Sequence, residues 1–210
     1  MVATIYLYNE NDLTTVQPEP RQVLHRILSG YTPVTSEAVD HILASGQIES
    51  YSKNRIIFHE QRFNAFEYFQ LEGVSHRFNT DGDKQTITTG IYQGEAVVTP
   101  HMARTKGSQS IFSLQALTDC VYLQVPAGLF RTLMNDHSVI RSFGQAVVER
   151  EFAQHLNFEV LFRTQSARER LLYFREQYPN LENLIPHTVI ASFLGITPVS
   201  FSRLRSELIP

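Results

Sequence analysis

The chain has 210 residues, of which 42% are hydrophobic and 19% charged, an ordinary globular composition with room for one large or two small cores. The chain has one cysteine, Cys120, so it cannot form an internal disulfide. One cysteine also cannot hold an iron–sulfur cluster or a structural zinc ion without several other ligands. The formal charge of −3 is unevenly spread, with 12 Lys and Arg against 17 Asp and Glu in residues 1–162 but 6 Arg against 4 Glu in residues 163–210.

The first element in chain order is an apolar run at residues 2–8. It is too short for the core of a secretion signal, has no basic flank, and is followed by Asn9, Glu10, Asn11 and Asp12. No apolar run reaches the eighteen or more residues expected of a membrane span. We therefore expect a cytoplasmic protein with no membrane partner.

Short strands dominate the middle of the chain. Apolar spacing predicts helices over 22–28 and 36–44, and then a series of short strands separated by Gly, Asn and Asp. The predicted strands are 47–51, 55–60, 66–72, 74–80, 85–92, 95–98, 110–117 and 120–125. The acidic and glycine residues at 81–83 predict a hairpin turn. This texture indicates a β-sandwich or barrel, in which Cys120 would be a buried strand residue.

Two further helices are predicted after the barrel, over 127–135 and 138–162. The second is long and carries an apolar stripe that needs a partner. The stripe consists of Ile140, Phe143, Val147, Phe152, Leu156 and Val160. The chain's own barrel would cover it in one interpretation, but its length between two domains favours a symmetric helix pair in a homodimer.

Residues 187–205 have the spacing of a helix-turn-helix. Ala191 is the fifth position, where little more than a methyl group fits against a second helix, and Gly195 is the ninth, where it supplies a left-handed turn. A helical hairpin in an ordinary domain gives the same spacing. The position at the carboxyl end, behind a segment of different texture, favours an attached DNA-binding module.

The second helix of this motif has clear start signals. Thr197 offers an N-cap hydroxyl and Pro198 a pre-set first turn, so we expect a helix over 197–208. The apolar contacts of the motif are expected from Ile190, Leu194, Ile196, Phe201 and Leu204. The remaining side chains are short or basic and suit a major groove.

The order of barrel, long helix and terminal helix-turn-helix resembles the cyclic AMP receptor protein and fumarate–nitrate regulator (Crp/Fnr) superfamily of bacterial transcription factors. The resemblance rests most specifically on residues 167–181 and 190–205, and on GEAVV at 94–98 and the segment 110–125 in the barrel. It implies an α+β chain with an N-terminal double-stranded β-helix (jelly-roll) barrel of cyclic nucleotide-binding type in 1–135, a dimerisation helix in 136–162, and a DNA-binding domain in 163–210.

The same resemblance implies a non-enzymatic regulator that binds double-stranded DNA as a homodimer. Its operator would be two-fold symmetric, and its barrel would sense an effector or act as a scaffold. RNA polymerase and a small-molecule effector of unknown identity are further candidate partners.

The family's nucleotide site is only partly present. Gly94 and Glu95 match the opening of its phosphate-binding cassette, but Ser110 stands where the phosphate-binding arginine belongs, and a serine cannot make that bidentate charged contact. Arg104 and Lys106 could replace it from another direction, although we expect both to be solvated loop cations. We therefore predict no cyclic AMP cofactor, and an effector site, if there is one, at Gly94, Glu95, Arg104 and Ser110.

The DNA-reading residues carry over from the family with departures. They are expected to be Thr197, Val199, Ser200, Ser202, Arg203 and Arg205. Arg203 matches the family's base-reading arginine and would contact guanine. Val199 would meet a thymine methyl group, and Arg205 would contact phosphate or pair with a neighbouring glutamate.

Two alternatives remain open. A barrel of this size also suits a cupin-like metal enzyme, but His59, His76 and His101 are widely separated and form no His-x-His pair, which makes a metal site less favoured. The other alternative keeps the fold as a small-molecule-binding module that no longer reads DNA. Loss of operator choice in Arg203→Ala would separate the regulator from that module.

Overall fold

The structure, a computed structural model, describes residues 19–83 and 85–208. The apolar run at residues 2–8, for which we predict no role as a secretion signal, lies outside the described residues. Lys84, beside the predicted hairpin turn, lies outside them as well. The described chain is a two-sheet barrel flanked by helices and followed by a helical unit at the carboxyl end.

The predicted helices are confirmed with ends shifted by two residues at most. The described helices are α1 (Pro20–Ser29), α2 (Ser36–Ala44), α3 (His101–Arg104), α4 (Ala127–Asp136), α5 (Ser138–Thr164), α6 (Ala167–Gln177), α7 (His187–Phe193) and α8 (Pro198–Glu207), with a 3-10 turn at Leu181–Asn183.

The predicted strands are present, three of them with the expected bounds and most of the others within one residue. They are β1 (Gln47–Tyr51), β2 (Ile56–Phe58), β3 (Phe66–Glu72), β4 (Val74–Thr80), β5 (Thr86–Gln93), β6 (Ala96–Val97), β7 (Thr105–Lys106), β8 (Gln109–Ser110), β9 (Ser113–Ala116) and β10 (Cys120–Pro126). The strand predicted over 110–117 is wrong at its start, because Ser110 pairs instead with Thr105 in the short β7–β8 ribbon.

The strands form two antiparallel four-stranded sheets, with orders β1-β10-β3-β6 and β2-β9-β4-β5. Side chains from both sheets meet between them and fill the barrel, many of them aromatic. The largest of these are Phe58, Tyr68, Phe112 and Tyr122. Cys120 is buried in the same layer, as predicted.

The hairpin between β4 and β5 begins where the sequence predicts it. The Oδ1 atom of Asp81 accepts hydrogen bonds from the backbone N–H groups of Asp83 (3.0 Å) and Gln85 (2.8 Å). An aspartate that caps its own turn in this way fixes the register of the two strands locally. The register pairs Thr80 with Thr86.

The outer face of the first sheet is covered by α1, α2, α4 and the first half of α5. Ile140, Phe143 and Val147 of α5 are buried there. The helical unit at the carboxyl end has its own core, which also includes Val74 and Ile91 of the barrel. The two parts of the chain are therefore packed against each other.

Candidate nucleic-acid interface

The turn between α7 and α8 has the geometry that the sequence predicts. Gly195 has a φ of +66°, and a Cβ atom there would lie 3.3 Å from Cε1 of Phe162, so both the conformation and the space favour glycine. The Oγ1 atom of Thr197 accepts from the backbone N–H of Ser200 at 3.1 Å, and Pro198 is the first residue of α8. The N-cap prediction is confirmed.

One face of α8 is held by the core of the helical unit. Phe201 is 1% exposed, and Ala191 of α7 is fully buried. Leu204 and Ile196 pack against the same cluster. The apolar contacts expected of the motif are therefore made, and they leave the opposite face of α8 without cover in the described chain.

The opposite face carries most of the predicted DNA-reading residues. Val199 is 80% exposed, and the Arg203 side chain is 74% exposed. Ser202 is exposed, and Ser200 is half-buried beside the Thr197 hydroxyl, which donates to its Oγ at 2.9 Å. The Nε atom of Arg203 lies 3.8 Å from Oε1 of Glu207, a surface pair that leaves most of the guanidinium accessible.

Arg205 does not belong to this exposed face. Its Nε atom lies 3.9 Å from Oε2 of Glu182, the carboxylate that also accepts from Nε (3.0 Å) and Nη2 (3.2 Å) of Arg175. Of the two roles expected for Arg205, the structure therefore shows the pairing with a glutamate. The acceptor comes from the 3-10 turn before α7, outside the helix that carries Arg205.

The predicted apolar stripe of α5 divides into two parts. Its second half is open, with Phe152 65%, Leu156 46% and Val160 59% exposed. Val147 and Phe152 are five residues apart, a step of about 140° around an α-helix, so the exposed row lies on a different face of α5 from the buried one. An apolar row of this length on the surface of the described chain is typical of a protein–protein contact.

The predicted effector residues are not all brought together. Glu95 forms an ion pair with Arg26 of α1, with Nη2 of Arg26 2.6 Å from its Oε1 atom. It lines a cleft of about 390 Å³ between α1, α5 and the barrel surface, together with the Arg77–Glu151 ion pair. Gly94 does not line this cleft, and its carbonyl accepts from Nε2 of Gln70 at 2.7 Å.

The surroundings of Arg104 differ from those expected from the sequence. It is a fully buried residue at the end of α3, and its guanidinium lies 5.0 Å from the ring centres of both Phe58 and Tyr68. The prediction of a solvated loop cation is wrong for Arg104, because α3 turns the chain back into the barrel. Lys106, two residues further, is exposed as expected. Ser110 is 2% exposed and close to Arg104 along the β7–β8 ribbon.

One interdomain contact has no signal in the sequence. The Oγ atom of Ser192 in α7 accepts from the backbone N–H of Thr88 at 2.9 Å and donates to the carbonyl of Thr86 at 3.1 Å. The helix-turn-helix is thus hydrogen-bonded to the edge strand β5 of its own barrel. Ser192 is separated from these partners by more than 100 residues, so no local pattern predicts the contact.

The chain resembles several solved structures along most of its length, although no protein-family model and no curated protein matches it. FixK2 from Bradyrhizobium japonicum superimposes with a TM-score of 0.66 at 18% identity, over 78% of this chain and 84% of that one. The c-di-GMP-responsive global regulator CLP from Xanthomonas campestris gives 0.66 at 10% identity, over 83% and 91%. The Thermus thermophilus catabolite activator protein gives 0.54 at 21% identity, over 85% of each chain.

The chain has the fold of these proteins. The barrel, the long α5 and the terminal helix-turn-helix correspond to the fold that the sequence resemblance implies. At identities of 10–21% the likeness establishes the fold, and the function has to be inferred from the chain's own residues.

The three barrel histidines considered as metal ligands occupy separate environments. His76 is buried between the Thr88 hydroxyl (3.1 Å) and Oε1 of Gln115 (3.0 Å), and burial lowers its pKa. His101 shares a hydrogen bond with the carbonyl of Asn64 through Nε2 (2.8 Å), and His59 is exposed. Within residues 19–83 and 85–208, no group of three or more His, Cys, Asp or Glu is arranged to hold a metal ion.

No helix of the described chain combines the length and apolar character needed to cross a membrane.

Proposed function

We propose that the chain is a DNA-binding transcriptional regulator that acts as a homodimer and reads a two-fold-symmetric operator. The observation that carries the proposal is the exposed face of α8, which stands at the end of a fold shared with solved regulators. The proposed site of action is the cytoplasm, and RNA polymerase is a candidate partner on the bound promoter.

The proposed reading residues divide by chemistry. Arg203 offers a guanidinium that can donate to O6 and N7 of a guanine, and Val199 an apolar contact for a thymine methyl group. Thr197, Ser200 and Ser202 are suited to phosphate or base-edge hydrogen bonds near the start of the helix, where the helix dipole also favours phosphate. Arg205 is proposed as a residue that positions α8 through Glu182.

The open half of α5 supports the homodimer. Phe152, Leu156 and Val160 form an apolar row that a second copy of the same helix would cover by two-fold symmetry. A dimer of this kind presents two copies of α8 to successive major grooves, about 34 Å apart. Two half-sites then supply the affinity that one short helix cannot.

The barrel is proposed to regulate or support the reading domain without cyclic AMP. Ser110 offers no bidentate charge for a cyclic phosphate, and the Glu95 carboxylate already pairs with Arg26. Gly94 and Arg104 are the remaining residues of the proposed effector site, whose ligand would not be cyclic AMP. The Ser192 contact with β5 provides a direct route by which a change in the barrel would reach α7.

Selection of binding sites from a randomised duplex pool tests the proposal, comparing the wild type with Arg203→Ala. A two-fold-symmetric site is expected for the wild type, with binding weakened by about 1–3 kcal/mol and relaxed choice at one base pair in the variant. Arg55→Ala is the matched control, since it removes an exposed arginine from the barrel.

The selection also distinguishes the second candidate function. A wild type that enriches no site without ligand would contradict a regulator that is competent when unliganded. It would favour either a regulator that needs its effector or a binding module that does not read DNA, and repeating the selection with cyclic nucleotides is the next step.

A further inference from the structure

Arg104 is the most deeply buried cation in the described chain. Its side chain has no exposed surface, its guanidinium lies against the faces of Phe58 and Tyr68, and one amino group, Nη2, donates to the carbonyl of Phe66. Arginine keeps its charge in proteins even where burial lowers its pKa, as it does here. A permanent positive charge is therefore held inside an aromatic barrel.

The remaining donors of this side chain are unused. The Nε and Nη1 groups of Arg104 have no acceptor among the described residues, and the buried Oγ atom of Ser110 has no partner there either. Backbone contacts place the two residues side by side at one corner of the barrel. Ser110 is paired with Thr105, next to Arg104, and the N–H of Ile111 donates to the carbonyl of Arg104 at 2.9 Å.

No carboxylate of the described chain forms an ion pair with the guanidinium. Glu67 is the acidic residue whose charge interacts with the Arg104 guanidinium at a distance. The Oε2 atom of Glu67 accepts instead from the backbone N–H of His101 at 2.8 Å. Burial also raises the pKa of Glu67. An unpaired buried charge with unused donors is costly, and native proteins satisfy such groups with a partner.

We propose that the barrel binds a small monovalent anion between Arg104 and Ser110. The chemistry selects a ligand that only accepts hydrogen bonds and carries one negative charge, of the size of chloride, nitrate or formate. Phe58, Tyr68 and Phe112 fill the surrounding interior, so a nucleotide does not fit beside them. The site is independent of DNA reading, since it uses no residue of α7 or α8.

Thermal unfolding at constant ionic strength tests the site. Chloride, nitrate and formate are each titrated against gluconate, which is too large for a buried corner, and the midpoint temperature Tm is followed. At ten times its dissociation constant, the bound anion is expected to raise Tm of the wild type by about 3–6 °C. The curve should saturate, unlike a general salt effect.

Three variants assign the response to the named residues. Arg104→Met keeps the side-chain length and removes the charge, so it should lose the anion-dependent shift while folding at least as well in gluconate. Ser110→Ala should weaken anion binding at least threefold. The control Arg62→Met removes an exposed arginine of the neighbouring loop and should respond as the wild type does.

The supporting and the contradicting results differ in the response of the wild type and of the three variants. A saturating shift in the wild type and in Arg62→Met that Ser110→Ala weakens supports the proposal, even if Arg104→Met does not fold. Equal behaviour of all four anions in the wild type, or an unchanged response in Ser110→Ala or Arg104→Met, would overturn it.

Discussion

The two halves of α5 carry the same kind of side chain and meet opposite surroundings. Phe143 and Val147 are buried under the barrel and α1, whereas Phe152 and Val160 are more than half exposed on the same helix. The sequence pattern groups them into one stripe, although the five-residue step from Val147 to Phe152 moves the row about 140° around the helix. The difference shows that an apolar stripe has to be explained one contact at a time, because one part supports the fold and the other is free for a partner.

Substitution of the matched phenylalanines should give the largest effect. Phe143→Ala removes a ring packed near Tyr31 (5.5 Å between ring centres) and Phe69 (6.2 Å), and should cost about 3–5 kcal/mol in the free energy of unfolding. Phe152→Ala should cost less than about 1 kcal/mol when the protein is dilute enough to be monomeric. Urea denaturation measures both, and equal losses would remove the distinction between the two halves.

Leu156→Asp is expected to break the proposed dimer and leave the monomer folded. A charge in the centre of an apolar helix pair should raise the dissociation constant at least thirtyfold, about 2 kcal/mol or more. Sedimentation equilibrium measures the change. Leu184→Asp is the control, since Leu184 is comparably exposed (51% against 46%) but lies in the helical unit. A Leu156→Asp variant that dimerises normally would mean that a different surface joins the copies.

The helical unit at the carboxyl end was predictable because its signals are local. Gly195, Thr197 and Pro198 each act on their own backbone or on a neighbour three residues away, so their roles follow from spacing. The strands and the Asp81 turn were predictable for the same reason. Likewise, the exposed face of α8 is what remains after the apolar positions have been assigned.

The surroundings of the barrel residues were not predictable, because their partners are distant in the chain. Glu95 pairs with Arg26, and Ser192 with Thr88, across 69 and 104 residues. The burial of Arg104 follows from the short α3, which has too few residues to show an apolar period. The nearby Pro100 is the only local sign of a helix start there, and it is a weak one.

Thr197→Ala tests whether the second half of α5 depends on the helical unit at the carboxyl end. Loss of the N-cap should destabilise α8 by about 1 kcal/mol. Phe158 of α5 packs against Phe193 of α7, with ring centres 5.6 Å apart, so the loosening should extend to that half of the helix. Hydrogen exchange should be faster in α7, α8 and residues 150–164, and unchanged in residues 138–148. Thr197→Ser should behave as the wild type, and uniform exchange along α5 would contradict the division.

Glu159→Gln should have the smallest effect. It tests whether Glu159, on the open half of α5, lies inside the proposed dimer contact. Oε1 of Glu159 lies 3.1 Å from Nη2 of Arg163, and both side chains are more than half exposed. Such a pair one helical turn apart contributes about 0.2–0.5 kcal/mol, and the contribution should vanish in high salt. The free energy of unfolding, measured in both the monomeric and dimeric concentration ranges, checks this. A loss above about 1 kcal/mol only in the dimer would place Glu159 inside the contact, because a charged hydrogen bond contributes that much once water is excluded from it.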